Sequence, residues 1–321
     1  MAALRPRRSW LLALLAALAC ATRPPAPPAP RDTGLLAFWE VESASQEGGR
    51  AWLLGSVHAG TPDLRFDPAV ESAFEVSDAL VIEADITAIG GDGSGFIQRT
   101  LQTASLPEGQ TLDQVLPPPT WEKLGEFLRA RGQSVEQYRR FEPWLVMTVV
   151  TSYLFAEAGL PAAGGVDLRL ASRAEGRIPI LPLETPEFQI SLLDALPMDV
   201  QASMLGEVLS RQAETRATSQ RAFEAWRLGD LDAIEAEVVA PSRRDGDLLA
   251  FHERVYLARN RAMAERLDEL LREPKTWFVV LGVGHMVGEE GIPKLLETRG
   301  HRVRRVPRGA APTAPPSPGT E

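Results

Sequence analysis

The fold is decided by residues 277–285, which read Trp-Phe-Val-Val-Leu-Gly-Val-Gly-His. The apolar run over 277–283 predicts a buried strand, and the glycines and histidine that follow end it. Further on, residues 289–298 predict a helix that stops at Gly300, and residues 301–306 predict a final strand. A strand, a helix and a second strand in this order are typical of an α/β sheet.

The rest of the chain extends this pattern. Residues 35–41 and 52–57 predict a hairpin, Asp67-Pro68 opens a helix to about residue 76, and residues 79–82 predict a short buried strand. Prolines interrupt a further strand at 178–183, which places it at an edge. Helical patterns fill the middle of the chain to residue 174 and then residues 186–236 and 247–271. These elements predict a mixed α/β (α+β) fold with a helical insertion.

The N-terminal residues predict export. Residues 1–19 combine arginines with an apolar run and have the features of a signal peptide. Cys20, the only cysteine, follows at once in a segment that looks like the lipobox of bacterial lipoproteins, so we expect acylation there, with simple cleavage nearby as the alternative. Residues 20–32 then form a proline-rich spacer, residues 33–306 the folded domain, and residues 307–321 a disordered tail. The expected location is the bacterial cell envelope, with a lipid anchor in a membrane.

Composition bounds the class of protein. The chain has 321 residues, 44% of them hydrophobic, enough for a sizeable core. Its formal charge is −9, and removal of the arginine-containing leader lowers this to about −12. The sequence has no basic stripe interleaved with aromatic residues, so nucleic-acid binding is excluded as a function.

Three predicted strands end in a polar residue that the apolar pattern does not need. These residues are His58, Glu83 and His285, and each histidine stands three residues after a glycine. Side chains at the ends of strands in an α/β sheet converge on a common crevice, so we expect all three to face one site. Two imidazoles and a carboxylate suit manganese, cobalt or zinc, and such a metal could activate a water for hydrolysis of an amide or ester.

The general base is not evident from the sequence. Asp85 and Glu184 are both candidates, and a metal-free hydrolase that uses His58 and Glu83 as acid and base fits the same residues.

A helical segment carries further candidates. Arg259 falls on the apolar stripe of the helix at 247–271, where a guanidinium needs a partner, so it is expected either to bind a substrate carboxylate, to hold Glu83, or to pair with another acid. Asn260 could cap the helix or contact the same site, and Glu184 belongs to the candidate substrate-binding or supporting residues. Asp167 is interpreted mainly as a helix N-cap, with support of the site as the second interpretation.

The other two histidines are expected to be structural. His252 is predicted to be a satisfied core residue, and His301 is predicted to be exposed on an edge strand. The glycine-rich loop at residues 90–95 lacks the following Lys-Ser/Thr of a phosphate-binding loop and is expected to be a lid or a linker.

The order and spacing of several motifs resemble the TraB/GumN family, which is related to the Tiki metalloproteases. The resemblance rests on residues 55–58, 81–85 and 282–285, with Gly165-Val166-Asp167 and Arg259-Asn260 between them. It implies a pseudo-symmetric pair of βαβ-containing halves with mixed sheets and a site between them. It also implies a divalent cation bound by His58, Glu83 and His285, which would be the catalytic residues.

Residues and resemblance together predict an envelope-anchored metal-dependent hydrolase, plausibly a peptidase. The alternative is a non-catalytic module that uses the same crevice to bind a peptide or another ligand. The expected partners are a membrane, through the lipid anchor, and a peptide substrate or ligand.

Overall fold

The computed structural model describes residues 28–85, 94–243 and 246–310. The strands are β1 (Leu35–Glu42), β2 (Arg50–Ser56), β3 (Ala79–Ala84), β4 (Ile180–Glu184), β5 (Thr276–Gly282) and β6 (Arg302–Pro307). The helices are α1 (Pro68–Glu75), α2 (Ser94–Thr103), α3 (Leu112–Val115), α4 (Pro118–Arg129), α5 (Pro143–Glu157), α6 (Val166–Ala174), α7 (Pro186–Asp194), α8 (Met198–Ser210), α9 (Gln212–Leu228), α10 (Leu231–Ile234), α11 (Gly246–His252), α12 (Ala258–Leu271) and α13 (Ile292–Thr298).

All six strands form one sheet in the order β4-β3-β5-β2-β1-β6. The four strands β4, β3, β5 and β2 run parallel to one another, and β1 is antiparallel to both β2 and β6. The carboxyl ends of the four parallel strands therefore lie at the same edge of the sheet. This edge carries the candidate site.

Alternation along the strands builds a core on each face of the sheet. On one face, Leu54, Ile82 and Val280 pack with α1 and α6. On the other face, Leu53, Val81 and Val279 pack with α12, α13 and the helices that precede them. Because both faces are covered, the central strands are apolar over most of their length, as parallel strands usually are.

A separate apolar cluster forms the helical insertion. It is built from α3, α4, α5 and α8, with Leu124, Met147 and Leu205 among its buried residues. Helix α5 is buried on most sides, which agrees with its apolar sequence.

The predicted mixed α/β class is confirmed, and so are the edge positions of β4 and β6. The helical pattern predicted over 186–236 corresponds to four helices, α7, α8, α9 and α10. Leu196-Pro197 separates α7 from α8 because proline lacks the N–H that would continue the helix, and Gly229 ends α9 in the left-handed conformation. The strands belong to a single sheet, and the division into two pseudo-symmetric halves remains a prediction.

Several predictions about the ends and loops fall outside the described residues. The signal peptide, Cys20 and most of the proline-rich spacer do so, as do residues 90–93 of the predicted lid or linker and the last eleven residues. Three residues assigned to the tail belong to the fold, since β6 ends at Pro307, Arg308 N–H donates to Gly34 O, and Gly309 N–H donates to the Asp67 carboxylate. No helix in the described ranges is both long enough and apolar enough to cross a membrane.

Candidate functional site

Three neighbouring strands bring His58, Glu83 and His285 together. Strand β5 lies between β2 and β3, with Ser56 opposite Gly282 and Ile82 opposite Val280. Glu83 is the second-to-last residue of β3, and the two histidines follow the ends of β2 and β5. The polar residues at these strand ends therefore share one crevice.

Gly282 lies at the centre of this crevice. A Cβ at this position would lie 3.4 Å from Nε2 of His58, 3.5 Å from Oε1 of Glu83 and 3.6 Å from Cδ2 of His285. The glycine keeps open the space that these three side chains surround.

Glu83 and His285 form an unusual buried contact. Oε1 of Glu83 lies 3.0 Å from Nε2 of His285, and both side chains are less than a tenth exposed. Among the described residues, neither atom has a hydrogen-bond partner with acceptable geometry. Buried polar atoms are normally satisfied, and the Arg259 guanidinium approaches Oε1 of Glu83 only to 3.5 Å, so a proton or a cation between the oxygen and the nitrogen would satisfy both atoms.

The second nitrogen of each imidazole is held by a partner. Nδ1 of His58 lies 2.9 Å from Oδ2 of Asp167, and Nδ1 of His285 lies 2.5 Å from Oδ1 of Asn260. The Asn260 amide donates to Glu290 O, which turns its oxygen toward the ring. Both rings therefore direct Nε2 into the crevice, as partners of metal-binding histidines do.

Asp167 is not the helix N-cap that the sequence predicts. The N-cap of α6 is Gly165, and Asp167 lies in the first turn with its carboxylate accepting from the Ser56 hydroxyl and contacting His58. A Cβ on Gly165 would lie only 2.6 Å from His58 O, so the two backbones approach each other because this residue is glycine. The glycine pair before Asp167 was the sequence signal for this approach.

Arg259 is buried, with 2% of its side chain exposed, and its charge is paired. Nε and Nη2 donate to the two oxygens of Glu184 at 2.8 and 2.7 Å, and Nη2 also lies 3.5 Å from Oε1 of Glu83. Nε and Nη2 of Arg259 already form a bidentate contact with Glu184. The arginine is therefore placed to hold Glu83 and not to bind a substrate carboxylate.

Tyr256 is a site residue that sequence reasoning missed. It lies in a π-helical segment, Glu253–Leu257, and its ring centroid is 5.5 Å from that of His285. A Cβ on Gly284 would lie 2.9 Å from this ring, so the absence of a side chain at Gly284 allows the close packing. The glycine of the second motif was the signal available in the sequence. The π-helical segment that positions Tyr256 is not visible in the periodicity of the sequence.

The electrostatic environment separates the two site histidines. Burial opposes the charge on His58, but the adjacent Asp167 and then Glu83 outweigh it and raise the pKa of His58 to about 9. Burial, joined by Arg259, lowers the pKa of His285, so this imidazole is neutral at pH 7. Burial favours the neutral form of Glu83, yet His285, Arg259 and His58 together hold the pKa of its carboxyl well below its usual range.

The donor set fits a divalent ion in its chemistry. Two atoms bound at about 2.1 Å to one ion lie roughly 3.0–3.4 Å apart, which is the spacing of Glu83 Oε1 and His285 Nε2. The third candidate, His58, pairs with Asp167 and not with Glu83. Within the described residues, no three His, Cys, Asp or Glu side chains form a complete metal-ligand cluster.

The remaining two histidines are structural. His252 is buried and Nδ1 lies 2.8 Å from the Ser242 hydroxyl, as expected for a core histidine. His301 is also buried, which contradicts its predicted exposure: Nδ1 accepts from Ala44 N–H and Nε2 lies 2.9 Å from Asp268. Edge position therefore did not mean exposure, because the loop after β1 covers this end of β6.

Comparison with known proteins agrees with the motifs. A model of the TraB/PrgY/gumN family matches residues 37–305. The chain is 25% identical over 308 residues to Metalloprotease TIKI1 of Danio rerio, covering 81% of this chain and 61% of the relative. It is 24% identical over 315 residues to Metalloprotease TIKI2 of Xenopus tropicalis, covering 82% and 59%.

A bacterial relative is similar over more of its length. An uncharacterized protein of Treponema pallidum (strain Nichols) is 23% identical over 275 residues, covering 82% of this chain and 80% of the relative. The chain spans about three fifths of the length of the two metalloproteases, and no solved structure gives a significant match. Because the family model matches most of the chain, the predicted family is confirmed, and this protein belongs to the TraB/PrgY/gumN family.

Proposed function

We propose that this protein is a metal-dependent hydrolase of peptide bonds, with its site at the carboxyl ends of β2, β3 and β5. One observation carries the proposal: a carboxylate oxygen and an imidazole nitrogen face each other at 3.0 Å, buried and without hydrogen-bond partners among the described residues. The similarity to proteins named metalloproteases supports the same reaction class.

Glu83 and His285 would hold the metal, and His58 would complete the set after a change in its side-chain position. A divalent ion held by these residues would supply Lewis-acid chemistry, since it would lower the pKa of water and polarise a carbonyl. Manganese, cobalt and zinc all accept imidazole and carboxylate ligands.

The surrounding residues prepare the ligands for this task. Asp167 and Asn260 orient the two rings. Arg259, which is held in place by Glu184, favours the ionised form of the buried Glu83. Burial raises the pKa of Tyr256 to about 12, so its hydroxyl stays protonated and can donate a hydrogen bond to an oxyanion near His285.

Proton transfer in this site involves fewer candidates than the sequence allowed. Glu184 accepts hydrogen bonds from Nε and Nη2 of Arg259 and is therefore poorly suited to accept a proton. Asp85, directly after β3, stays a candidate base. His58, with its pKa near 9, carries a proton at neutral pH in the metal-free protein and could donate it to a leaving amine.

That protonated His58 is the specific reason to keep a metal-free acid–base hydrolase as an alternative. A non-catalytic peptide-binding module is the second alternative, since the described residues do not form a complete three-ligand cluster.

Cellular location is a separate proposal, based on the N-terminal sequence. We infer export and acylation of Cys20, which would tether the folded domain to an envelope membrane through the proline-rich spacer. Cys20→Ser should release the protein from membranes. The proposal fails if the wild type takes up no labelled fatty acid and the variant still partitions with membranes.

The deciding experiment is metal analysis of the purified protein combined with cleavage of a peptide library. We expect about one bound divalent ion per chain and cleavage that a chelator stops. Glu83→Gln should lose both, because it removes a negative ligand while keeping the side-chain volume. Metal-independent cleavage would favour the acid–base alternative, and peptide binding without cleavage would favour the binding module.

A further inference from the structure

A small cavity opens directly from the candidate site. Its volume is about 100 Å³, and His58, Gly282 and His285 form one of its walls. The cavity is therefore continuous with the space where the scissile bond of a substrate would lie.

The rest of the lining is mostly apolar. Helix α9 contributes Ser219, Ala222 and Phe223, which share one helix face by their three- and four-residue spacing. Phe155 and Leu160 also belong to this part of the lining and pack as a small hydrophobic cluster with Phe223, apart from the main core.

The polar groups of the lining are mostly engaged within the protein. The Ser56 hydroxyl donates to Asp167, and the Ser219 hydroxyl donates to Arg216 O at 2.8 Å. None of the described lining residues is Lys, Arg, Asp or Glu. Beyond the wall formed by His58 and His285, a charged side chain in the cavity would lose its hydration without gaining a partner, whereas an apolar one would lose only water contacts.

Size narrows the class of ligand further. Pockets for whole small molecules usually measure about 300–1,000 Å³, so this cavity is too small for one. An apolar cavity of about 150 Å³ holds a benzene molecule, so about 100 Å³ suits a branched aliphatic group and excludes large aromatic side chains.

We propose that this cavity binds a valine, leucine or isoleucine side chain of the peptide residue next to the scissile bond. The cleavage part rests on the proposed hydrolase function. The binding part does not, because it depends only on the cavity's shape and apolar lining.

The first test measures cleavage of internally quenched peptides that differ at a single position. We expect kcat/KM to be roughly 10- to 100-fold higher with leucine than with glycine or aspartate at one position beside the cleaved bond. Ala222→Phe fills the cavity and should remove most of this preference, whereas Phe223→Ala widens it and should shift preference toward larger side chains. Ala213→Phe, on an exposed position of the same helix, is the matched control and should keep the leucine preference.

The second test is independent of catalysis. N-acetyl-leucine methylamide and N-acetyl-aspartate methylamide are titrated into the full-length protein, with NMR of the Trp226 indole N–H as the readout, since this ring lies 5.8 Å from that of Phe223. Only the leucine compound should bind, and Ala222→Phe should abolish its binding.

The outcomes distinguish the two proposals. Binding of the leucine compound without cleavage of any peptide would overturn the hydrolase and support the aliphatic subsite. Cleavage without aliphatic preference, or no selective binding of the leucine compound, would overturn the subsite. If circular dichroism shows that Ala222→Phe is unfolded, Phe223→Ala decides, and an unchanged preference in that variant also overturns the subsite.

Discussion

Two regions of the molecule contain the same contact and use it differently. At the candidate site, Nδ1 of His58 lies 2.9 Å from Asp167, and at the β6 edge, Nε2 of His301 lies 2.9 Å from Asp268. The other nitrogen of His301 accepts from Ala44 N–H. The other nitrogen of His58 faces the space beside Gly282 and has no hydrogen-bond partner among the described residues. His301 therefore ties a loop to a helix, whereas His58 presents a free nitrogen.

The remaining histidines divide in the same way. His252 contacts Ser242 with one nitrogen and Arg243 with the other, while His285 bonds Asn260 and leaves Nε2 unsatisfied. The distinction lies in how many ring nitrogens the protein itself satisfies, not in burial, because three of the four rings are almost fully buried. Histidines with both nitrogens bound stabilise the fold, and those with one bound are available for chemistry.

The largest difference between the site histidines and the structural histidines should be in catalytic activity. His58→Ala and His285→Ala should each lower kcat/KM for a cleaved peptide by at least about 100-fold, since each removes a group proposed to act on the reaction. His301→Ala should leave kcat/KM unchanged at temperatures where it is folded, although its melting temperature should fall. Equal losses of activity in all three variants would mean that the site histidines act only through stability.

The next largest difference between the two groups of histidines should be in the change of melting temperature when a divalent metal is added. An ion that binds only the folded protein at about 100 times its Kd adds about 2.7 kcal/mol, which raises the melting temperature by several degrees. Differential scanning fluorimetry with manganese, cobalt or zinc should show this rise in the wild type and in His301→Ala, and a chelator should reverse it. If His58→Ala and His285→Ala respond as the wild type does, these residues are not the ligands.

The pH dependence of stability should sharpen the role of Asp167. The pKa of His58 is raised in the folded protein to about 9 from 6.5, so its protonation stabilises the metal-free protein fully below pH 6.5, and this contribution is lost as the pH rises through 9. Urea titrations in chelator should therefore show falling stability over this range.

Asp167→Asn should lower the pKa of His58, as read by NMR of its ring protons, and flatten that dependence. The matched change at the other pair, Asp268→Asn, should leave the titration of His58 unchanged. A raised pKa that persists in Asp167→Asn would contradict the assignment of Asp167 as its main cause.

Gly282→Ala should have the smallest effect on the fold. The added methyl would meet the site side chains at 3.4 Å or more, which is ordinary contact, so the free energy of unfolding should change by less than about 1 kcal/mol. Gly55→Ala is the matched change in the other motif, and its methyl would lie 2.9 Å from Val283, so it should destabilise by about 1–3 kcal/mol. Metal response should weaken in Gly282→Ala even though it melts near the wild type. An unweakened response would show that this space is not the metal position.

Much of the architecture follows from local patterns. The apolar runs of β2, β3 and β5 predict buried strands, the proline-interrupted run predicts the edge strand β4, and polar residues at strand ends predict a crevice. These predictions succeed because strand burial and strand termination depend on residues adjacent in sequence.

Other features depend on contacts between distant segments. The sequence suggested a capping role for Asp167 and an exposed His301. In the structure, Asp167 contacts His58 at a sequence separation of 109, and His301 contacts Ala44 at a sequence separation of 257. The hydrophobic periodicity of the sequence does not reveal such contacts. It also does not reveal the π-helical segment that contains Tyr256, whose ring packs near that of His285.

The sequence by itself therefore determined the fold class, the family and the residues at the strand ends. Only the tertiary structure decided which nitrogen of each histidine is satisfied, which acid pairs with Arg259, and where the apolar cavity opens. The physical reason is that hydrogen bonds and pKa shifts depend on distance and burial in space, which are set when strands and helices far apart in the chain pack together.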